Sequence, residues 1–264
     1  MRPIAIDTWQ QCNFKCSIAT PSQDKDQLLL LSTMAHACID TENPPGPLLI
    51  FVLGAPCSGK STLCTALSTR YNIDHFSIGN EMRSLISASP SGPAARINSK
   101  FSELELEIFT KSVRAGTLGP AHQTSKYVKE RIFPEDMDVK DVRVLIDGFP
   151  RHVDRWSIFK SSVEDVWRPD QRTIAIIIGV GQEAALDRFI GRGRDGDVFQ
   201  RRFDDYAEAI GDIVGSMQED GVTVFELLSN DGVDAETIIR KLENSEAWVK
   251  AVGMSVSMEE AGNT

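Results

Sequence analysis

The sequence predicts an α/β protein with three layers, in which a five-stranded parallel sheet lies between helices. Five apolar segments have the length and composition of buried strands, and segments of helical character separate them. Strands that alternate with helices are typical of parallel sheets, because each connection must cross back over the sheet. The predicted strands lie within residues 48–53, 74–79, 142–149, 173–180 and 222–228.

The helices are predicted from the spacing of apolar residues. A long amphipathic helix is predicted over residues 199–217, where apolar residues recur at steps of four and three. The same kind of spacing between residues 97 and 108 predicts one continuous helix there. Shorter helices are predicted at residues 60–71 and 234–242, and the chain from Asn80 onward is also expected to be helical.

Length and composition limit the classes of protein that the chain can belong to. Its 264 residues suit one large α/β domain or two small ones, and a net charge of −10 disfavours nucleic acid as the main partner. The most apolar early run, residues 28–35, is too short to cross a bilayer. We therefore expect a cytoplasmic protein with no membrane partner.

We expect three regions along the chain. Residues 1–46 end in a segment rich in proline and glycine, and we expect a poorly ordered or helical extension there, with a helix at about 27–40. The folded domain is expected at 47–250, followed by a flexible tail at 251–264. A zinc site in the extension is the less favoured interpretation, because the spacing of its four candidate ligands is irregular: Cys12, Cys16, His36 and Cys38.

A phosphate-binding loop is predicted between the first strand and the first helix. Residues 54–61 read Gly-x-x-x-x-Gly-Lys-Ser. In such a loop, the backbone amides and the start of the following helix point towards anionic oxygens. Lys60 would bind the β- and γ-phosphates, and the Ser61 hydroxyl would bind Mg²⁺. Cys57 is interpreted as a small loop residue rather than as a nucleophile.

A second group of polar residues follows the third predicted strand. Residues 147–151 read Asp-Gly-Phe-Pro-Arg. Asp147, at the strand end, could hold Mg²⁺ or its water shell. Arg151 would project into the crevice at the carboxyl ends of the strands, where ligands bind in such sheets. By itself, the segment could also be a turn with a surface arginine.

A basic segment, residues 188–202, follows the fourth strand and runs into the start of the long helix. It holds five arginines in an otherwise acidic chain: Arg188, Arg192, Arg194, Arg201 and Arg202. Converging arginines suit phosphoryl transfer, which needs charge neutralisation and little covalent help from the protein. The alternative is a solvated basic face, and Arg201 is the member that we most expect to be merely solvated. A mobile segment here would exclude water from the reaction when it closes.

Five segments together resemble the nucleoside monophosphate kinases, in particular the adenylate kinase and UMP/CMP kinase group. They are GAPCSGKST (54–62), FSIGNEMR (76–83), GTLGP (116–120), LIDGFPR (145–151) and RFIGRGR (188–194). The resemblance covers about residues 48–245. It implies a P-loop kinase fold with a helical acceptor-binding part at about 76–120 and a short lid at about 192–200. It also implies ATP-dependent phosphoryl transfer to a nucleoside monophosphate, UMP, CMP or AMP, with Mg²⁺ and a monomeric protein.

The resemblance also assigns roles to individual residues. For ATP binding it implies Gly54, Cys57, Ser58, Gly59, Lys60, Ser61, Thr62 and Arg188. For the acceptor it implies Ser77, Gly79, Arg83, Leu118, Gly148, Phe149, Arg151 and Arg155. For catalysis it implies Lys60, Arg151, Arg192, Arg194 and Arg202. For Mg²⁺, directly or through water, it implies Ser61 and Asp147.

The loop end Gly-Lys-Ser-Thr (59–62) and the shortness of the lid depart from the family pattern, and so do three positions on the acceptor-binding side. Asn80 replaces an acid, Gly119 replaces a valine, and Arg155 replaces an amide that reads the acceptor base. Arginine only donates hydrogen bonds. Either the base offers acceptors to Arg155, or Arg155 turns away from it.

These departures keep two alternatives open: a nucleotide-binding regulatory protein with a degenerate acceptor site, and a P-loop kinase of another small acceptor. A switch GTPase is disfavoured because the sequence has no Asn-Lys-x-Asp motif.

Overall fold

A computed structural model of the chain describes residues 46–191, 199–228 and 234–253. These residues belong to one compact unit, Glu42–Thr264. Several predictions lie outside the described residues: the extension up to residue 45 with its helix and candidate zinc ligands, the tail from 254, and most of the lid with Arg192 and Arg194.

The sheet has five parallel strands, as predicted. Their order across the sheet is β2-β3-β1-β4-β5, so the strand that carries the phosphate loop lies in the centre. β2 is shorter than its predicted segment and ends at Ser77. The strands are β1 (Leu48–Gly54), β2 (Asp74–Ser77), β3 (Arg143–Asp147), β4 (Thr173–Gly179) and β5 (Thr223–Leu228).

Helices cover both faces of the sheet. Successive residues of β1 point to opposite sides, and apolar residues are buried on each side. Leu49 and Phe51 join one buried apolar cluster, and Ile50 and Val52 join the other. The described helices are α1 (Lys60–Tyr71), α2 (Ile78–Leu85), α3 (Gly92–Asn98), α4 (Glu103–Arg114), α5 (Ala121–Ile132), α6 (Val153–Ser162), α7 (Gln182–Ile190), α8 (Phe199–Glu219), α9 (Ala235–Glu243) and α10 (Glu246–Val252).

The prediction of one continuous helix between residues 97 and 108 is wrong, because α3 ends at Asn98 and α4 begins at Glu103. Ser102 and Glu105 form a capping box: the Ser102 hydroxyl accepts from the Glu105 amide, and the Glu105 carboxylate accepts from the Ser102 amide at 2.9 Å. These bonds satisfy donors at a new helix start. As a result, Leu104 is 67% exposed instead of lying on an apolar stripe.

Across the three described stretches, none of the helices combines the length and the apolar character that a membrane span requires.

Candidate active site

The carboxyl ends of three neighbouring strands bring the predicted site residues together. Asp147, the last residue of β3, is in register with Val52 of β1 on one side and with Ser77 of β2 on the other. The phosphate loop leaves β1 at the same edge of the sheet. A cavity of about 420 Å³ opens there, lined by the loop, by the ends of β2 and β3, and by α8.

The phosphate loop holds its shape through two glycines and one lysine. A Cβ atom at Gly54 would lie 2.6 Å from the Ile178 carbonyl oxygen, so no side chain fits where the loop leaves β1. Gly59 has a φ of 92°, which favours glycine immediately before α1. The Lys60 ammonium donates to the carbonyl oxygens of Gly54 at 2.9 Å and Ala55 at 2.7 Å. Lys60 therefore lies across the loop, where it can reach a bound phosphate.

Burial lowers the pKa of Lys60 to about 8, although the Asp147 carboxylate opposes this shift. The guanidinium groups of Arg151 and Arg202 lower it further. The cavity is thus an environment that disfavours additional positive charge. An anionic ligand would relieve this cost by pairing with the cations.

Two oxygen donors for a divalent cation lie side by side below the loop. The Ser61 hydroxyl donates to Asp147 Oδ2 at 2.7 Å, and Asp147 is only 4% exposed. Hydroxyl and carboxylate oxygens are ligands that suit Mg²⁺. This donor set therefore fits the predicted cation. His75 Nε2 lies 4.0 Å from the same carboxylate oxygen, and burial lowers the pKa of His75.

The guanidinium groups of Arg83 and Arg151 converge above Gly79. A Cβ atom at Gly79 would lie 3.6 Å from Arg83 Nη1 and 3.8 Å from Arg151 Nη2. Burial lowers the pKa of Arg151 to about 10, and the charges of Arg202 and Arg155 contribute to the shift. Such crowding of cations has an electrostatic cost that a bound phosphate would offset.

Arg155 lines the cavity. Its Nη2 donates to the Gly119 carbonyl oxygen at 2.6 Å. Its Nε and Nη1 atoms are buried and have no hydrogen-bond partner among the described residues. Burial lowers the pKa of Arg155. Two donors of Arg155 are therefore buried and unpaired in the wall of the cavity, without access to its open space.

The glycine at position 119 is explained by its surroundings. Gly119 has a φ of 90°, and a Cβ atom there would lie 2.8 Å from Cδ1 of Phe109. Phe109 is fully buried and occupies the space that a valine side chain would need. The neighbouring Leu118 is also buried, and its carbonyl oxygen accepts from the Thr124 hydroxyl at 2.8 Å.

At the other end of the cavity, α7 and α8 approach the phosphate loop. Arg188 Nη1 donates to the Cys57 carbonyl oxygen at 3.4 Å. Cys57 itself has a φ of 61°, a left-handed conformation that is unusual for a residue other than glycine. Arg202, in the first turn of α8, lines the cavity. Arg201 points to solvent, with its side chain 59% exposed.

Most of the predicted residues line the cavity, and the others lie around it. Ser58 and Phe149 are buried, Gly59 belongs to the loop, Arg188 contacts the loop, and Thr62 is exposed on α1 beside Thr65. The roles of all of them remain predictions. The predicted residues that line the cavity are Gly54, Cys57, Lys60, Ser61, Ser77, Gly79, Arg83, Leu118, Asp147, Gly148, Arg151, Arg155 and Arg202.

Sequence reasoning missed the contribution of α8 to the cavity wall. Asp205, Tyr206, Ile210 and Ile213 line it, and burial raises the pKa of Tyr206 to about 12. Three of these four belong to the apolar stripe that predicted the helix. Spacing identifies the stripe, but it does not tell which part covers the core and which part faces a cavity.

Known proteins match the same region of the chain. A family model described as an AAA domain matches residues 53–202, more than half of the chain. An adenylate kinase of Clostridium botulinum (strain Eklund 17B / Type B) is 34% identical over 144 residues, which are 54% of this chain and 58% of that protein. An adenylate kinase of Corynebacterium diphtheriae is 26% identical over 193 residues, covering 72% of this chain and 96% of that protein.

A UMP-CMP kinase of Danio rerio is 26% identical over 191 residues, covering 70% of this chain and 86% of that protein. The chain thus spans little more than half of the Clostridium botulinum protein and nearly all of the Corynebacterium diphtheriae one. Together with the parallel sheet and the phosphate loop, these matches assign the family. The chain belongs to the nucleoside monophosphate kinases, within the P-loop proteins that the AAA-domain model describes.

Proposed function

We propose that the protein transfers the γ-phosphoryl group of ATP to a nucleoside monophosphate, giving ADP and a nucleoside diphosphate. The observation that carries this proposal is the charge of one cavity, where a phosphate loop faces several guanidinium groups. Two acidic residues line the cavity, Asp147 and Asp205. Five cationic residues line it: Lys60, Arg83, Arg151, Arg155 and Arg202. This excess of cations suits two anionic nucleotides better than one.

In this proposal the loop binds ATP and the central arginines bind the acceptor phosphate. Lys60 exchanges the carbonyl oxygens of Gly54 and Ala55 for the β- and γ-phosphates. Arg83 and Arg151, which converge above Gly79, hold the acceptor phosphate in line with the transferred group. No general base is required, because the attacking phosphate oxygen is already an anion.

Ser61 and Asp147 would hold Mg²⁺, which neutralises phosphate charge when it is bound. The lid at about 192–200 would add Arg192 and Arg194 and exclude water during transfer. The domain at 47–250, the extension at 1–46 and the tail at 251–264 are part of the same proposal. That the protein acts as a cytoplasmic monomer, without nucleic-acid or membrane partners, stays a prediction from composition and resemblance.

The acceptor base is proposed to be a pyrimidine. Arg155 offers only donors: its Nη2 binds the Gly119 carbonyl oxygen, and its other two nitrogens are buried without partners in the wall of the cavity. Cytosine presents O2 and N3, and uracil presents carbonyl oxygens, which can accept from a guanidinium group. Adenine has no carbonyl oxygen, and its pairing edge offers a single ring nitrogen beside an amino donor, whereas cytosine offers O2 and N3 together beside its own amino group. This argument favours CMP and UMP over AMP.

A panel assay tests the reaction. Full-length protein is mixed with ATP and Mg²⁺ and, separately, with CMP, UMP, AMP, GMP and dTMP, and the products are separated chromatographically. We expect a diphosphate from CMP or UMP. If ATP binds but no monophosphate is phosphorylated, the regulatory protein or a kinase of another acceptor becomes the better interpretation.

Arg151→Ala tests the proposed phosphate contact. Removal of a group that stabilises developing charge lowers kcat by about 10²–10³-fold in well-studied enzymes, and we expect a loss of that order. Arg201→Ala is the matched control, because Arg201 is exposed at the start of α8. Near-normal turnover of Arg151→Ala would remove the assigned role.

Arg155→Gln tests the acceptor preference separately from the chemistry. Glutamine both donates and accepts, so it can pair with the amino group of adenine. We expect the ratio of kcat/KM for CMP to that for AMP to fall about tenfold or more, since one mismatched buried donor costs about 1–3 kcal/mol. Arg201→Gln should leave the ratio unchanged. An unchanged ratio in Arg155→Gln would show that the base is read elsewhere.

A further inference from the structure

Three side chains of different chemistry meet beneath the phosphate loop. Cys64 lies one turn beyond Ser61 on α1, His75 is in β2, and Asp147 ends β3. The Cys64 sulfur, a ring nitrogen of His75 and a carboxylate oxygen of Asp147 all lie within 4.8 Å of one another. The structure therefore gathers a thiol, an imidazole and a carboxylate at one point, from three separate elements.

The contacts of these groups leave them available as ligands. His75 Nε2 is buried and has no hydrogen-bond partner among the described residues. Cys64 is fully buried and is a free thiol. Asp147 Oδ2 accepts from Ser61 at 2.7 Å, and carboxylate oxygens can hold more than one partner. Asp147 also lines the cavity, which gives an ion a path to the site.

The donor set does not suit the cation that the proposed kinase uses. Mg²⁺ takes oxygen ligands, whereas sulfur and nitrogen ligands favour Zn²⁺ and similar transition-metal ions. Thiolate, imidazole and carboxylate are the three side-chain ligands of protein zinc sites. A small movement of the side chains would bring all three to coordination distance, with water or Ser61 at a fourth position.

We propose that Cys64, His75 and Asp147 form an inhibitory site for a transition-metal cation of the Zn²⁺ type. As the metal–sulfur bond forms, the Cys64 thiol releases its proton to solvent. The ion shares Asp147 with the Mg²⁺ site and draws this carboxylate away from Ser61. In this way the bound ion disables the site of phosphoryl transfer. The inhibitory effect rests on the proposed function, whereas the binding of the ion does not.

Binding is tested with Co²⁺ alone, a spectroscopic substitute for Zn²⁺, on the reduced full-length protein. We expect about one equivalent to produce the thiolate-to-cobalt charge-transfer band in the near ultraviolet. Cys64→Ser should abolish the band. His75→Gln keeps the thiol and should weaken Co²⁺ binding at least about tenfold, because one of three side-chain ligands is lost. Far-ultraviolet circular dichroism establishes that each variant is folded.

The matched control replaces the cysteines of the extension, Cys12, Cys16 and Cys38, together with serine. This variant should keep the band and the affinity for Co²⁺. The proposal is overturned if wild-type protein gives no band. It is also overturned if the band persists in Cys64→Ser, or if His75→Gln binds Co²⁺ as tightly as the wild type. Loss of the band in the control variant would overturn it too, because this would place the thiolate ligand in the extension.

Inhibition is measured with Zn²⁺ added to the kinase assay at saturating Mg²⁺. Each variant is compared with its own activity in the absence of Zn²⁺. We expect His75→Gln to shift the inhibitory Zn²⁺ concentration upwards by about the factor seen for Co²⁺ binding. Equal sensitivity of wild type and His75→Gln would refute the inhibitory role. A protein that binds Co²⁺ as expected but phosphorylates no acceptor would contradict the proposed kinase and leave the metal site supported.

Discussion

Gly119→Ala should destabilise the protein, because the added methyl group has no space. A Cβ atom at position 119 would lie 2.8 and 2.9 Å from two atoms of the Phe109 ring, which is closer than a carbon–carbon contact allows. The ring is held in turn by Phe101, which it meets edge-on with centroids 5.2 Å apart. Neither the loop nor the ring can therefore move without disturbing buried contacts.

Three contributions determine how far Gly119→Ala changes the free energy of unfolding. The left-handed backbone at Gly119 costs a residue with a Cβ atom about 1–2 kcal/mol. Overpacking of a buried ring costs about 1–3 kcal/mol. Alanine also stabilises the protein by about 0.4–1 kcal/mol, because it restricts the unfolded chain more than glycine does. We therefore expect the free energy of unfolding to fall by about 1–5 kcal/mol.

Urea unfolding measures this change, and Gly211→Ala provides the matched control. Gly211 lies within α8, where its φ is not in the left-handed range and a Cβ atom would meet nothing within 4 Å. Alanine should stabilise that position by about 0.5–1 kcal/mol. If Gly119→Ala unfolded at the same urea concentration as the wild type, the packing argument would be refuted.

The same substitution should affect the acceptor and leave ATP binding unchanged. The Gly119 carbonyl oxygen holds Arg155 at 2.6 Å, and a displaced loop would displace this guanidinium group. We expect KM for the acceptor to rise while KM for ATP stays within about twofold, because the phosphate loop is formed by other elements.

Two further predictions concern charge and helix capping. The pKa of Lys60 is about 8 in the folded protein, whereas its ordinary value is 10.5. The folded state therefore binds the Lys60 proton less tightly than the unfolded state, and the charged lysine destabilises the fold at pH 7. This destabilisation declines as the pH rises through 8 towards 10.5. Between pH 7 and pH 9, the free energy of unfolding measured with urea should rise by up to about 1.3 kcal/mol more in wild type than in Lys60→Met. A parallel pH dependence of the two proteins would contradict the lowered pKa of Lys60. Ser102→Ala removes the capping box of α4 and should lower the melting temperature by the equivalent of about 1 kcal/mol. Ser91→Ala is its control, because Ser91 caps α3 without a side-chain hydrogen bond, and equal effects of the two would refute the capping argument.

The strands could be predicted because burial on both faces leaves a simple signal. β1 and β4 are unbroken apolar runs, and six of the seven residues in each are buried. Helix α5 gives no comparable signal, since its buried face includes the polar residues Thr124 and Ser125. Thr124 donates to the Leu118 carbonyl oxygen at 2.8 Å, a partner that only the folded chain supplies. Apolar spacing does not detect a face that is stabilised in this way.

In the candidate site, too, some features could be predicted from the sequence and others could not. Lys60 and Ser61 could be located because one short segment contains the whole phosphate loop, and Asp147 and Arg151 because their segment follows a strand. The direction of Arg155 could not be predicted, because its partner is a carbonyl oxygen 36 positions away along the chain. The contribution of α8 to the cavity wall could not be predicted either, because the spacing of its apolar residues does not show against which elements the helix packs.

The departures at Gly119 and Arg155 also bear on the choice between an active kinase and a degenerate one. Buried polar groups in native proteins are usually hydrogen-bonded, so an unpaired one needs an explanation, such as a ligand that satisfies it. Here the two positions are coupled: Phe109 fills the space beside Gly119, and the Gly119 carbonyl oxygen binds Arg155. Two donors of Arg155 remain buried and unpaired in the wall of the cavity, and a turn of the guanidinium group towards a base with acceptor atoms would satisfy them. This arrangement favours a changed acceptor preference over a lost acceptor site, and the ratio measured with Arg155→Gln distinguishes the two.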